Sequence, residues 1–200
     1  MRAIRCMMLV ALCLTAFGTA AAQQPVTVVA VGLKSNELTV VELKYRVFFN
    51  KTELKKISLL DYDFKAALGD ELLNALAEDT RMRWRLPSET EVIDVLAVQK
   101  KKAQLPPLEA DRVLLVFVED FGAFLPALAA DKFYLDAKFK LIDRATGKKL
   151  WEKKLHVTED LDGKLKELQA NNQKELKTGV NKVLERVTRK MVAALRQARI

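Results

Sequence analysis

From Val26 onward the chain switches between two rhythms, one of period two and one near 3.6. Val26 to Val31 is a valine-rich run. Residues 38–49, LTVVELKYRVFF, set Val41, Leu43, Tyr45 and Val47 against Glu42, Lys44 and Arg46. Successive side chains of a strand point to opposite faces, so this alternation predicts a strand with one buried face. With Ser35-Asn36 as a turn, the two runs predict a first hairpin. The rhythm changes at Asp61. Phe64, Leu68, Leu72, Leu73 and Leu76 recur at helical spacing, and Asp61 or Asp63 is placed to cap the start. The helix is expected to end near Asp79-Thr80. Gly69 inside it costs about 1 kcal/mol against Ala and points to close approach by another element.

Residues 81–86, RMRWRL, alternate Met82, Trp84 and Leu86 with three arginines, which predicts a short strand with a solvated arginine face. Ser88 followed by Glu91 has the form of a capping box, and Val92, Val95 and Leu96 predict a helix closing at Lys100-Lys101-Lys102. Pro106-Pro107 marks a rigid connector. Residues 112–119, RVLLVFVE, are apolar without alternation, the pattern of a central strand covered on both faces. Residues 121–130, FGAFLPALAA, contain Gly122 and Pro126 and are expected to form a loop on the core or an exposed apolar lip. Phe121 and Phe124 are therefore candidate contacts for a partner.

Phe133, Leu135, Ala137, Phe139 and Leu141 alternate with charged residues, and Trp151, Leu155 and Val157 do the same after Asp143-Arg144-Ala145-Thr146-Gly147. Asp143 suits a turn that bonds its own backbone, and Gly147 suits the positive φ of a short bulged loop. This hairpin is expected to build half of a sheet and to carry Trp151 into the core. From Leu165 to Arg196 a long helix is predicted, with Leu176, Val180, Val183, Leu184, Val187, Met191 and Leu195 as its buried stripe. Asn171, Asn172 and Gly179 weaken its first half. The order is ββαβαβββα. The predicted fold class is α+β: a mixed, largely antiparallel sheet of about five to six strands packed against two to three helices.

Composition places the chain outside the cytoplasm. Arg2 and Arg5 precede an uncharged run from Cys6 to Phe17, and small residues lead to Ala22. That is the order of a secretory signal peptide, and the run is short of the roughly 20 residues that a bilayer requires. Cleavage is expected near Ala22, leaving residues 23–200 as one periplasmic domain with no further membrane span. Both cysteines, Cys6 and Cys13, lie in the leader, and Leu12 before Cys13 does not suit lipidation. The mature chain then has no disulfide and no thiolate chemistry. The whole chain carries +8; without Arg2 and Arg5 the remainder carries +6. Residues 174–200 alone hold eight cations against Glu175 and Glu185, so the excess is confined to the last helix. Lys182, Arg186, Arg189 and Arg196 become candidate contacts for an acidic envelope protein, an anionic lipid or a glycan. Export makes nucleic acid the least fitting partner. Such a run is also the ordinary solvated face of a helix.

Catalytic signals are sparse. His156 is the only histidine and its neighbours in sequence are lysines, so it reads as an ordinary surface residue. With one His and no mature Cys, zinc is not expected. Asp160-Leu161-Asp162-Gly163 resembles part of a calcium loop but lacks the distal Glu. Glu119 and Asp120 end the central strand and read as terminators. No cofactor or catalytic residue is assigned, and the oligomeric state is open.

The segment VLLVFVED, followed by KFKLIDRATGKKLWEKKLHV with Asp143, Thr146, Gly147 and Trp151, resembles the amino-terminal domain of the Tol-Pal translocation protein and the curli secretion lipoprotein. Small periplasmic proteins of the same pattern share it. The resemblance implies a noncatalytic binding or assembly module of the bacterial envelope. A carrier of lipid or anionic glycan is the alternative, with a carboxylate-dependent hydrolase third.

Overall fold

The computed structural model describes residues 24–46, 49–59, 61–101, 103–126, 129–161, 163–168 and 173–198. The expected signal peptide lies outside them. In chain order the elements are β1 (Val26–Leu33), β2 (Glu37–Arg46), β3 (Phe49–Ser58), α1 (Phe64–Leu76), β4 (Arg83–Arg85), α2 (Val95–Gln99), β5 (Arg112–Leu125), β6 (Lys132–Asp143), β7 (Lys149–Asp160), α3 (Leu165–Leu168) and α4 (Lys174–Gln197). The fold is α+β, with a mixed seven-stranded sheet whose long ladders are antiparallel.

The 14-residue β5 is the spine of this sheet. β1 runs parallel to its first half, from Thr27 opposite Arg112 to Leu33 opposite Val118. β2 runs parallel to its second half, from Thr39 opposite Gly122 to Glu42 opposite Leu125. The two therefore lie end to end along one side of β5 and do not form the hairpin expected from Ser35-Asn36. The link keeps its direction because the Lys34 amide donates to the Val118 carbonyl (3.0 Å). β2 pairs instead with β3, antiparallel. The charges at Lys51, Glu53, Lys55 and Lys56 obscure β3 as a strand in the sequence. β6 and β7 extend the other side of β5, and the short β4 flanks β1.

The first half of β5 is buried on both faces, as the unbroken apolar run of residues 112–119 predicts. Leu114, Val116 and Val118 enter the larger core, and Val113, Leu115 and Phe117 enter a smaller one. A bulge between Val118 and Asp120 then changes the phase. After it Phe121, Ala123 and Leu125 face the larger core. Residues 121–125 are thus strand, not the expected loop or lip. Phe121 is 1% exposed and stacks on Phe64 of α1 at a centroid distance of 3.9 Å. Its burial removes it from the candidate partner contacts.

Helices α1 and α4 cover the larger core. Asp63 caps α1 through the Ala66 amide (3.0 Å), and Phe64, Leu68, Leu72 and Leu76 form its buried face. Gly69 sits against Leu86, where an added Cβ would be 3.4 Å from the leucine, in keeping with the close approach expected there. The seven-residue stripe of α4 is buried throughout. The last helical segment is two helices, α3 and α4, with residues 169–172 between them outside the described set. Trp151 is half-buried at the edge of the larger core and tilted against Phe139 (6.4 Å). In the turn before β7, Asp143 accepts from the Thr146 amide (2.8 Å) and hydroxyl (2.7 Å), and Gly147 has φ 67°.

The predicted helix after Ser88 begins later, at Val95, with Asp94 as its cap. Glu91 does accept from the Ser88 amide (2.9 Å), as a capping box requires. It is also gripped by both terminal nitrogens of Arg85 and by the Glu109 amide (3.2 Å). Arg85 holds this carboxyl well below its usual range. Contacts from β4 and from the connector before β5 tie Glu91 to both segments, and residues 88–93 run across them rather than coil.

Candidate functional site

The two faces of the sheet are covered unequally. Opposite α1 and α4, the segment carrying α2, Leu105 and Leu108 packs over Ala30, Val113, Leu115, Phe117 and Ile142. That cover serves the first half of β5. Beyond the bulge, no described element packs over this face.

The strand registers arrange the open half in rows across five strands. One row is Leu54, Val41, Phe124, Lys132 and Asp160. The next is Lys56, Thr39, Gly122, Tyr134 and Thr158. The third is Asp120, Asp136 and His156. The first row is apolar at its β3 end, where Leu54 is 71% exposed beside the half-buried Val41 and Phe124. Side chains directly opposite across strands are in contact range, so these three form one stripe.

The middle row is locked. An added Cβ at Gly122 would lie 1.8 Å from the Thr39 carbonyl oxygen and 2.9 Å from the Tyr134 hydroxyl. Only glycine lets β2 and the Tyr134 phenol approach so closely. Tyr134 donates to Asp120 Oδ2 (3.0 Å), and Thr39 donates to Asp120 Oδ1 (3.0 Å). Burial and then the Asp120 charge push the phenol above its usual value. Asp120 and Asp136 stand opposite each other, an unfavourable pairing for like charges. Each is satisfied elsewhere, Asp136 by His156 Nδ1 at 2.7 Å. The His156 side chain is 62% exposed and stacks on Tyr134 at 6.4 Å.

His156 is thus a surface residue, as its lysine neighbours predict, but it has an acidic partner. Asp136 lies 20 residues away and becomes adjacent only through the β6–β7 register. Asp120 is a structural anchor, and Glu119 pairs with Lys154 (3.4 Å). Asp160 lies 3.8 Å from Lys132, and Asp162 falls outside the described residues. Among the described residues no group of three or more His, Cys, Asp or Glu is arranged to hold a metal ion.

The sequence-predicted contacts fall on opposite sides of the sheet. Phe124 is on the open face. Lys182, Arg186, Arg189 and Arg196 are on α4, across the larger core. There the fold itself engages the arginines. Arg186 donates to the Asp160 carbonyl (3.1 Å), Arg189 pairs with Glu185 (2.6 Å) and Arg196 with Glu78 (3.4 Å). The sequence does not place Val41 and Leu54 beside Phe124 on an open face. On β2 the residues entering the larger core are Leu38 and Val40, so Val41 and Leu43 take the open side and the predicted buried face is reversed. A lone leucine among the lysines of β3 was the one available signal.

No family model matches the chain, and no curated protein matches its sequence. Its fold is shared with solved structures. Protein XCC0632 from Xanthomonas campestris, of the DUF330 family, superposes with a TM-score of 0.51 at 11% identity, covering 87% of this chain and 86% of that one. The hypothetical protein CT253 from Chlamydia trachomatis gives 0.52 at 12% identity, with 86% and 95% covered. Lipoprotein GNA1162 from Neisseria meningitidis gives 0.38 at 16% identity, covering 80% and 98%.

Proposed function

We propose that this chain is a noncatalytic binding or assembly module of the bacterial cell envelope that captures a protein partner on the uncovered half of its sheet. The carrying observation is the apolar stripe Leu54–Val41–Phe124, with Leu54 71% exposed on a face that no described element covers. Contiguous exposed apolar side chains rimmed by polar ones are the usual mark of an interaction surface. Here the rim is Lys56, Lys132 and the Tyr134–Asp120–Thr39 lock, which holds the strands under the stripe in fixed register.

The basic, apolar and small-residue order of residues 1–22 supports export to the periplasm. The resemblance of residues 113–157 to the Tol-Pal and curli proteins is matched by no family model or curated protein and carries no weight here. Among the described residues no helix is long and apolar enough to cross a membrane. A carrier of lipid or anionic glycan draws less support, because Arg186, Arg189 and Arg196 already have partners within the fold.

The test is site-specific photocrosslinking of the full chain in the periplasm. A crosslinker at position 54 or 124 should trap one discrete protein, and a crosslinker at Ala145, in the exposed turn before β7, should not. The double variant Leu54→Ser, Phe124→Ser should lose capture of that partner through a probe at position 41 while staying folded, with a melting temperature lowered by only about a few degrees. Equal labelling at position 145, or no adduct at 54 and 124, refutes the reading.

A further inference from the structure

At the carboxyl end of β1 the chain forms a second concave feature, away from the open sheet face. Val31, Gly32 and Leu33 floor a cavity of about 900 Å³ between the starts of α1 and α2. It runs into a partly apolar slot of about 380 Å³ between α1 and the segment after β4, and the two share Val31, Asp63, Lys65 and Ile93. Both volumes suit a small ligand, and in sheets with parallel strands the crevice beyond the strand ends is a recurrent ligand position.

Two glycines shape the walls. A Cβ at Gly32 would meet Val95 at 2.6 Å, and one at Gly69 would sit 3.4 Å from Leu86. Val29, Val31, Leu86 and Ile93 supply the apolar part of the slot, with Val92 at its lip, and Ser88, Glu89 and Glu91 line it as well. Val92 is 79% exposed, the most exposed of the large apolar side chains described. The mouth has the opposite character. It carries Asp61, Asp63 and Asp94 against one cation, Lys65. Asp63 and Asp94 each commit Oδ1 to a helix cap, which fixes the two carboxylates at the rim. This excess of negative charge stands out in a chain whose net charge is +8.

We infer that this groove is a binding site for a small cationic amphiphile, its apolar part in the slot and its ammonium or guanidinium group at the acidic mouth. The inference does not depend on the open sheet face. An anionic amphiphile would meet three carboxylates at the point where its head must sit. Elsewhere the positive chain would favour that anion, so a preference for the cation isolates the groove from nonspecific surface binding.

The experiment is isothermal titration of the full-length protein with decyltrimethylammonium and with decyl sulfate, both below micelle formation. The cation should bind at one site and more tightly than the sulfate. Lys65→Glu should tighten the cation by about five-fold or more, the order expected when charges a few ångströms apart interact in water. Val92→Ser, a change at an exposed position that leaves folding intact, should weaken it severalfold. Equal or tighter binding of decyl sulfate, no binding of the cation, or indifference to Lys65→Glu would overturn the assignment.

Discussion

Two phenylalanines three residues apart on β5 should respond to the same substitution in different ways. Phe121 is 1% exposed and its ring lies 3.9 Å from that of Phe64, nearly parallel at 14°. Replacing it with Ala removes a fully buried aromatic and leaves a cavity between β5 and α1. Such truncations cost about 3–5 kcal/mol, and loss of the ring pair accounts for roughly 0.5–1.5 kcal/mol within it. Phe124 is half-buried on the open face, so Phe124→Ala leaves no enclosed cavity. Its cost should stay below about 1.5 kcal/mol, less than burying a whole side chain yields. Equilibrium urea unfolding followed by circular dichroism separates the two. For Phe121→Ala the midpoint should fall with the slope unchanged, and for a domain of this size the melting temperature should drop by about 6–20 °C. Similar costs for the two variants, or a cost below about 1 kcal/mol for Phe121→Ala, would mean that the bulge does not set the phase of the strand as described.

Gly122→Ala should be among the most damaging small substitutions. Its Cβ would fall 1.8 Å from the Thr39 carbonyl oxygen, and forcing β2 from β5 should cost about 2 kcal/mol or more, with faster amide exchange in β2. Gly147→Ala meets no neighbour within 4 Å, so only its φ of 67° is penalised, by about 1–2 kcal/mol in the same unfolding assay. Lys138 and Lys149 lower the Glu152 carboxyl from 4.5 to about 2. A carboxyl depressed by folding stabilises the fold fully above its unfolded value. The contribution from Glu152 should therefore vanish as pH falls from about 4.5 to about 2, and Glu152→Gln should flatten the loss measured by urea midpoints across that window. Changing Arg186, Arg189 and Arg196 together to Glu sets new carboxylates beside Glu159, Glu185 and Glu78. The midpoint should fall, and added salt should restore part of it; an unchanged midpoint at low salt would show these pairs to be energetically silent.

The chain announces elements wherever their cause is local. Asp63 before Phe64 marks the start of α1, the apolar run of β5 marks a strand buried on both sides, and Asp143 with Gly147 marks the turn into β7. The stripe from Leu176 to Leu195 marks the buried side of α4. β3 stayed hidden because charges occupy much of it, and the capping box at Ser88 misled because Arg85 and the Glu109 amide share its carboxylate. Phe124 lies on the open face for a different reason from the one its neighbours in sequence suggest. The local sequence suggests a lip, whereas the β5 bulge puts Phe124 on one side of the sheet and Phe121 on the other.

By itself, then, the sequence determined the α+β class, the long antiparallel hairpin, the last amphipathic helix and its concentrated positive charge. Those follow from the spacing of neighbours along the backbone. Only the tertiary structure decided that β1 and β2 share one side of β5, that His156 meets Asp136, and that Leu54, Val41 and Phe124 form one stripe. Thr27 pairs with Arg112, 85 positions away, and no local periodicity encodes such a choice. Strand pairing is settled by which arrangement buries the most apolar surface while satisfying the backbone, and that comparison exists only for the whole fold.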